Sequence, residues 1–426
     1  MMDNEFILDS FGIDSRAVKK IEKAEAALQK QFRKIDEIAE YNQYKVIAAF
    51  RDMRVSARHF MGTTGYGNDD DGREKLGEVF ASIFKCEAAI VSPLIASGTH
   101  AIAIGLFGLL RPLDTMLSIT GEPYDTLATV IGLNDKEASG SLKDFAINFE
   151  KVDLQTDGSV NIPEVLDRIK LNPSIKIVYL QRSRGYEWRK ALSIGEIERA
   201  IKAVKEKFPN MTVVVDNCYG EFTETKEPAE VGADLIIGSL IKNPGGGFAY
   251  TGGYLAGTEK CIDMVSQRLT APGIGSEVGS YIAGYLAYYQ GIYMAPTIVK
   301  AALKGATLTS YVFSKHGYEV SPDYLDDRSD ITQAIRMRGE DELITLIRAF
   351  QKAAPIDSYV VPYPSDMPGY ESKVIMAAGT FMQGGSIELS ADAPIRKPYT
   401  AYVQGAMTYE NAKLALMIAL TDLGLY

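Results

Sequence analysis

Apolar residues recur every three or four positions in residues 16–50, a segment that is rich in Ala, Lys, Glu and Gln. The repeat consists of Val18, Ile21, Ala24, Leu28, Phe32, Ile35 and Ile38. This spacing places one apolar stripe along a helix. The segment is therefore predicted to be a long amphipathic helix, in one piece or two. The glycines and aspartates of Gly62–Gly72 then predict an irregular loop.

From residue 73 onward, short apolar runs alternate with amphipathic segments. The predicted helices are Arg73–Phe84, Thr99–Leu110, Tyr124–Ile131 and Ile194–Lys207. The predicted strands are Ala88–Val91, Thr115–Ile119, Ile175–Leu180, Val213–Val215 and Leu235–Ile237. This order is typical of an α/β protein with a mostly parallel sheet and helices on both faces.

The pattern changes in the last third of the chain. Ala271–Ser310 is rich in glycine and alanine and is predicted to be a helix that leads into a second domain. After it come predicted helices and strands at Glu340–Ala353, Tyr359–Pro362, Lys373–Ala377, Ser386–Leu389 and Tyr409–Leu423. We therefore expect a helical segment at 1–50, a large α/β domain at 51–295 and a small α+β domain at 296–426.

Composition narrows the possible functions. The 426 residues are 46% hydrophobic and 23% charged, with a formal charge of −10. That charge disfavours general binding to nucleic acid or to an anionic membrane. Ala88–Leu110 lacks charged residues, but Pro93 and a polar turn interrupt it, so a buried strand, a turn and a helix are predicted rather than a membrane span. The scattered cysteines Cys86, Cys218 and Cys261 and the absence of a signal-peptide pattern at the N-terminus predict a cytoplasmic protein.

Two apolar runs end in side chains that suit one kind of chemistry. Met211–Val215 is followed by Asp216, and the run from Leu235 leads to Ser239 and Lys242. A lysine amine forms a Schiff base with an aldehyde cofactor, and an aspartate can keep the ring nitrogen of pyridoxal 5'-phosphate (PLP) protonated. Taken singly, the lysine could be a solvated strand end and the aspartate a turn cap. Their order favours a PLP site, in which apolar surroundings would lower the pKa of the lysine.

A phosphate site is predicted where Ser97–Thr99 follows a strand and opens an apolar helix. Free backbone N–H groups and the helix dipole attract an anion there. The same residues would also be expected at an ordinary helix N-cap that binds no ligand. Ser239 could add a hydroxyl to the phosphate, or be a solvated turn serine. Tyr124 or His100 could lie flat against the cofactor ring.

These motifs, in this order, resemble the Cys/Met-metabolism group of PLP-dependent enzymes, which have the aspartate-aminotransferase fold (fold type I). The matching segments are Ser97–Ile104, Leu109–Asp114, Val213–Tyr219 and Ser239–Lys242. The chain is most similar to the branch of methionine γ-lyase-like or "aluminium resistance" proteins. The resemblance covers residues 55–295 and, more loosely, the C-terminal part. It implies a large, mostly parallel sheet domain and a smaller α+β C-terminal domain.

The resemblance also implies a role for each matching residue. Lys242 would carry the cofactor as a Schiff base and act as the α-proton base, Asp216 would pair with the ring nitrogen, and Tyr124 would stack on the ring. Phosphate would be bound by Gly98, Thr99 and Ser239. Tyr66 would come from the neighbouring subunit and reach the phosphate and the leaving group. That implies a homodimer with shared active sites, often assembled into a homotetramer.

The sequence departs from the family pattern at two anion sites. Asn68 stands where the family has a phosphate-binding arginine, and Arg73 is the expected substitute. No arginine occurs in Ser386–Ser390, where the family binds the substrate carboxylate. Arg396 and Arg184 are the candidates for that role.

The predicted function is a carbon–sulfur lyase that acts on a sulfur amino acid through Lys242, with no metal. An aminotransferase or an aldolase on the same fold is the near alternative. A non-enzymatic metal-binding factor is the alternative from another class, with Asp69–Asp71, Glu74 and Glu78 as ligands. A solvated charged loop is the commoner explanation of such a run. A nicotinamide enzyme is disfavoured because Gly245–Gly247 lacks the GxGxxG spacing, and three scattered histidines disfavour zinc.

Overall fold

The computed structural model describes residues 4–133, 140–367 and 372–426. The helices in these ranges are α1 (Asn4–Phe11), α2 (Ser15–Ala27), α3 (Gln29–Asp52), α4 (Asp71–Phe84), α5 (Gly98–Leu109), α6 (Asp125–Ile131), α7 (Ile162–Leu171), α8 (Ile194–Lys207), α9 (Glu259–Ser266), α10 (Leu286–Lys315), α11 (Glu340–Lys352) and α12 (Tyr409–Asp422). The strands are β1 (Ala88–Ser92), β2 (Thr115–Ser118), β3 (Asn148–Lys151), β4 (Ile175–Gln181), β5 (Thr212–Asp216), β6 (Leu235–Ser239), β7 (Gly253–Gly257), β8 (Glu319–Ser321), β9 (Thr332–Arg336), β10 (Val374–Ala377), β11 (Ser390–Pro394) and β12 (Thr400–Gln404).

Seven strands form a large sheet in the order β1-β7-β6-β5-β4-β2-β3. The pairs from β6 to β3 are parallel, and β7 runs antiparallel to both of its neighbours. The valines of β5 show why this sheet is buried on both faces. Val213 and Val215 pack with Ile236 in one hydrophobic core, while Val214 packs with Ile237 in the other. Alternate side chains of one strand thus supply two cores.

A second, antiparallel sheet has the order β10-β11-β12-β9-β8. Its residues also alternate between two environments. Ala391, Ala393 and Val403 face the hydrophobic core, and α11 packs against β10 and β11. Asp392 and Gln404 face a cavity that this sheet shares with the large sheet. The small sheet therefore supplies one wall of that cavity.

The amphipathic N-terminal region forms two helices, α2 and α3, that meet at Leu28, whose side chain is fully buried. Helix α3 packs along the 30-residue helix α10. In α2, Glu25 accepts hydrogen bonds from Tyr409 and Lys413 of α12, at 3.0 and 2.8 Å. The N-terminal helices therefore hold the two ends of the chain together. The domain limits at residues 50 and 295 stay a prediction.

Most predicted elements are present within one or two residues of their expected bounds, and α8 has the predicted bounds. Strand β1, a turn and helix α5 account for the uncharged stretch 88–110. Across the described ranges, every helix is either too short or too polar to span a bilayer.

The helix predicted at Ala271–Ser310 is wrong in its first third, because α10 begins only at Leu286. Pro272 and several glycines with positive φ occupy the stretch before it, among them Gly273 at +85° and Gly279 at +132°. Backbone in that region is incompatible with a right-handed helix. Glycine and alanine were both counted as helical in the prediction, although they have opposite effects.

Two predicted C-terminal strands are also absent from the described residues. In Ser386–Leu389, the Glu388 carboxylate accepts the backbone N–H groups of Phe381 and Met382, at 2.7 and 2.8 Å. These bonds hold the segment in turns, and β11 starts only at Ser390. Tyr359–Pro362 pairs with no strand among the described residues, and Tyr359 lies in a turn with its side chain exposed. Its apolar residues lie at the surface rather than in a sheet.

Candidate active site

The carboxyl ends of three adjacent parallel strands meet on one side of the large sheet. In the strand register, Gln181 of β4 pairs with Asp216 of β5, which pairs with Ile237 of β6. A cavity of about 1340 Å³ opens there, between the two sheets. Nine of the predicted site residues line it: Ser97, Gly98, Thr99, Tyr124, Arg184, Asp216, Ser239, Lys242 and Arg396. Ligands of open α/β sheets collect at this edge.

Lys242 follows β6 and reaches back over the strand ends. Its Nζ lies 3.8 Å from the centroid of the Tyr219 ring. Tyr219 has φ +71°, a left-handed conformation that aims its ring beneath the amine. Burial lowers the pKa of Lys242, but Tyr219, Cys218 and Asp216 raise it more, so the net shift is upward. The expectation of a lowered pKa was therefore wrong, because apolar flanks in the sequence concealed these neighbours.

Asp216 ends β5 with its carboxylate inside the cavity wall. Oδ1 accepts the backbone N–H of Cys218 at 3.1 Å, and Oδ2 lies 3.5 Å from the Tyr179 hydroxyl. Burial raises the pKa of Asp216, and the charge of Lys242 opposes that shift. A buried carboxylate with a weak second partner gains most from a cationic N–H placed opposite it.

The N-terminus of α5 and the end of β6 form a small polar corner. Ser97 caps the helix, because its Oγ accepts the N–H of His100 at 3.1 Å. Gly98 permits close contact, since a Cβ there would lie 3.2 Å from the Ser239 Cβ. The Ser239 hydroxyl is buried and has no hydrogen-bond partner among the described residues. A donor left unpaired beside a helix N-terminus suits an anion such as phosphate.

Tyr124 closes this corner from the side. Its hydroxyl lies 2.9 Å from the Thr99 Oγ1, and its backbone N–H donates to Gln181 at 3.0 Å. Burial raises the pKa of Tyr124, and the charge of Asp216 adds to the shift. The phenol therefore stays protonated and available as a donor.

The two candidate carboxylate arginines occupy different settings. Arg184 is fully buried, and its Nη1 and Nη2 donate to the Ser321 carbonyl and hydroxyl at 2.8 and 3.3 Å. Its Nε has no partner among the described residues. Arg396 is exposed at the cavity wall. The buried guanidinium is the more pre-organised of the two.

Three predicted site residues lie outside the cavity of this chain. His100 is exposed, and its Nδ1 accepts the Ala96 N–H at 3.0 Å. Arg73 donates to the carbonyls of Gly279 and Glu277, at 3.1 and 3.2 Å. The Tyr66 side chain is 77% exposed, as a residue offered to another subunit would be. Their predicted roles stay predictions.

Several cavity residues were missed by the sequence reasoning. They are Tyr186, Cys218, Tyr219, Asp392, Tyr402 and Gln404. Tyr219 lies shortly after a predicted strand end, so its proximity to Asp216 was a usable signal. Asp392 and Gln404 lie within antiparallel strands that were not predicted.

The acidic loop that suggested a metal site is occupied by internal contacts. Asp70 accepts hydrogen bonds from the Thr63 and Tyr285 hydroxyls and from the Arg73 N–H. Glu78 pairs with Lys75. No group of three or more metal-ligating side chains is found in residues 4–133, 140–367 and 372–426.

A large sheet with the site at its carboxyl edge, joined to a small antiparallel domain, is the architecture of fold type I PLP-dependent enzymes. Solved structures share it. A methionine gamma lyase from Micromonospora echinospora is 17% identical with a TM-score of 0.58, covering 86% of this chain and 93% of that one. A cystathionine gamma synthase from Xanthomonas oryzae, solved with cystathionine, is 14% identical with a TM-score of 0.61, covering 90% and 98%. The predicted fold class is thereby confirmed.

Within this fold, the chain belongs to the methionine gamma-lyase family, which it matches over residues 17–424. A protein described as a carbon-sulfur lyase involved in aluminum resistance, from Clostridium novyi, is 48% identical with a TM-score of 0.95, covering 99% of this chain and all of that one. The uncharacterized protein YnbB of Bacillus subtilis is 48% identical over 408 residues, or 96% of each chain. The family resemblance seen in the sequence is confirmed.

Proposed function

We propose that this protein is a PLP-dependent carbon–sulfur lyase that acts on a sulfur amino acid. The observation that carries the proposal is the convergence of Lys242, Asp216 and the unpaired Ser239 hydroxyl on one cavity. The family and the carbon-sulfur lyase of Clostridium novyi support it.

The residues present fit PLP. The Ser239 hydroxyl and the α5 N-terminus suit its phosphate, Asp216 suits a protonated ring nitrogen, and the Lys242 amine suits its aldehyde. Once bound, the cofactor would supply an electron sink for the carbanion at the substrate α-carbon. All of these groups line one cavity, so one bound cofactor could contact them together.

The chain's own groups would then move protons and hold charge. The Lys242 amine would remove the α-proton of the substrate. Arg184 would hold the substrate carboxylate through its unpaired Nε. Tyr124, or Tyr66 of a neighbouring subunit, would protonate the departing thiolate. With one water consumed, the products are a keto acid, ammonia and a thiol.

Tyr66 can serve in this way only in a shared site, so we also propose a homodimer that assembles into a homotetramer. Exposed apolar side chains surround the Tyr66 loop, including Met61, Leu94 and Ile282. Such a patch favours a protein interface. We place the protein in the cytoplasm, where its free cysteines would stay reduced.

The test uses purified protein saturated with PLP. We expect a yellow chromophore, and borohydride reduction should fix the cofactor on the peptide that contains Lys242. Cystathionine, cysteine and methionine are then supplied, and keto acid and thiol are assayed. Release of both from at least one substrate supports the lyase. Amino transfer to an added keto acid without thiol release would instead indicate an aminotransferase.

A further inference from the structure

The small sheet brings a buried acid into the cavity opposite the strand ends. Asp392 of β11 lies across from Tyr402 of β12 in the strand register. The Asp392 side chain is 8% exposed, and its Oδ2 accepts a hydrogen bond from Gln404 at 3.0 Å. Both residues line the cavity together with Lys242.

This acid lacks a cationic partner within the described ranges. No lysine, arginine or histidine nitrogen there lies within 4.0 Å of its carboxylate. Burial raises the pKa of Asp392 to about 6, while bonds from Tyr186 and Gln404 and the charge of Lys242 hold it down. At neutral pH the carboxylate is ionised, and it is buried without an ion pair. Such a charge is costly unless a ligand supplies the counter-ion.

Two aromatic rings adjoin the acid. Tyr186 and Tyr402 have ring centroids 5.0 Å apart and planes tilted by 36°. The Tyr402 hydroxyl donates to the Tyr186 carbonyl, which holds both rings against the cavity. A carboxylate beside aromatic rings is a favourable environment for an organic cation. The combination points to an ammonium group rather than to a metal ion.

The cavity has room for such a group beyond the cofactor. At about 1340 Å³, it exceeds the roughly 300–1,000 Å³ of ordinary ligand pockets. Lys242, whose charge acts on Asp392, is also the proposed cofactor anchor, so PLP binding would engage its amine. The acid would then face a substrate rather than a lysine.

We propose that Asp392, with Gln404, Tyr186 and Tyr402, forms a subsite that binds a positively charged group at the far end of the substrate side chain. The substrate class is therefore a thioether amino acid with a distal ammonium group, rather than one with an uncharged alkyl side chain. This inference rests on the proposed function, because the proximal end of the substrate is placed by PLP and Lys242.

The test compares three cysteine thioethers of nearly equal length on the PLP-loaded enzyme. They are S-(2-aminoethyl)-cysteine, S-propyl-cysteine and S-(2-carboxyethyl)-cysteine. We measure kcat/KM where thiol is released, and Kd from the change in cofactor absorbance where it is not. The wild type should prefer the aminoethyl over the propyl compound by about 10- to 100-fold, as expected for a charge-assisted hydrogen bond. The carboxyethyl compound should be the poorest.

Asp392→Asn should bring the aminoethyl-to-propyl ratio close to one. Glu187→Gln is the matched control, because it removes the same charge from an exposed residue of the same cavity. In Glu187→Gln the aminoethyl-to-propyl ratio should change less than about twofold, because solvent screens the charge of Glu187.

Three results would overturn the subsite: equal preference in the wild type, an unchanged ratio in Asp392→Asn, or an equal fall in Glu187→Gln. If Asp392→Asn does not fold, the order of the three ligands in the wild type decides. A binding preference without thiol release would reject the lyase and keep the subsite. Thiol release without a preference for the aminoethyl compound would support the lyase and reject the subsite.

Discussion

The two walls of the cavity are built on different principles. On the large sheet, functional side chains stand at the carboxyl ends of parallel strands, as Asp216 and Ser239 do. On the small sheet, Asp392 stands in the middle of an antiparallel strand, with alanines on both sides that face the core. The first wall places the groups proposed to hold a cofactor. The second offers a buried charge proposed to select the substrate.

The proposed chemical step takes place at the first wall, where Lys242 lies. The Lys242→Ala substitution should therefore have the largest effect on activity. Loss of the amine removes the proposed attachment point and α-proton base, so kcat/KM should fall at least about a thousandfold. The kcat/KM of Lys242→Arg should fall by the same factor, because arginine keeps the charge but lacks a nucleophilic amine. Thiol release under saturating substrate is the measurement, with the melting temperature showing that both variants fold. Activity near that of the wild type in either variant would contradict the proposal.

The same contrast explains what could be predicted from the sequence. Apolar runs that end abruptly in Asp216 or Ser239 mark strand ends, and parallel strand ends meet at one sheet edge. The alternation in Ser390–Pro394 spans only five residues, so no strand was predicted there, and at most it indicates a strand with one polar face. Whether that face meets solvent or a cavity depends on distant elements that pack against it, and these leave no local pattern.

Tyr219 shows a second limit on prediction. Its left-handed backbone turns the ring under Lys242, 23 residues away in the sequence. Bulky residues seldom adopt that conformation, so its sequence neighbours gave no reason to expect it. The anion sites were harder still, because Arg73 is held by the carbonyls of Gly279 and Glu277, and Tyr66 is exposed outside the cavity.

Substitutions of two serines in the first wall should affect different properties, one the binding of PLP and the other the stability of the fold. Ser239→Ala removes a hydroxyl that has no partner among the described residues, so the cofactor-free protein should keep its melting temperature. Its Kd for PLP should rise about 10- to 100-fold, the worth of one hydrogen bond to a charged phosphate. Ser97→Ala removes a helix cap and should cost about 1 kcal/mol of stability.

Fluorescence titration with PLP and thermal unfolding of the cofactor-free protein measure these two effects. A loss of stability in Ser239→Ala, or unchanged PLP affinity, would mean that this hydroxyl does not face the phosphate.

The last prediction compares one buried acid from each wall of the cavity. Burial raises the pKa of Asp392 to about 6 and that of Glu221, whose Oε1 accepts the Tyr254 hydroxyl, to about 8. The pKa of each acid is higher in the folded protein than in the unfolded chain. Each acid therefore makes the folded protein less stable as the pH rises between those two pKa values. The free energy of unfolding of Asp392→Asn should therefore rise relative to that of the wild type between about pH 4 and 6. Above pH 6 the difference should stay constant, at no more than about 3 kcal/mol. Glu221→Gln should keep gaining up to about pH 8.

Melting temperatures of the substrate-free enzyme at several pH values between 5 and 9 measure both curves. The two variants should separate above pH 6, because only Glu221 still titrates there. A gain that does not vary with pH would show that packing, not charge, sets the difference. If the gain in Asp392→Asn disappears when S-(2-aminoethyl)-cysteine is bound, the ligand is neutralising that carboxylate. The cost of the buried acid in the free enzyme would then be the source of its selectivity.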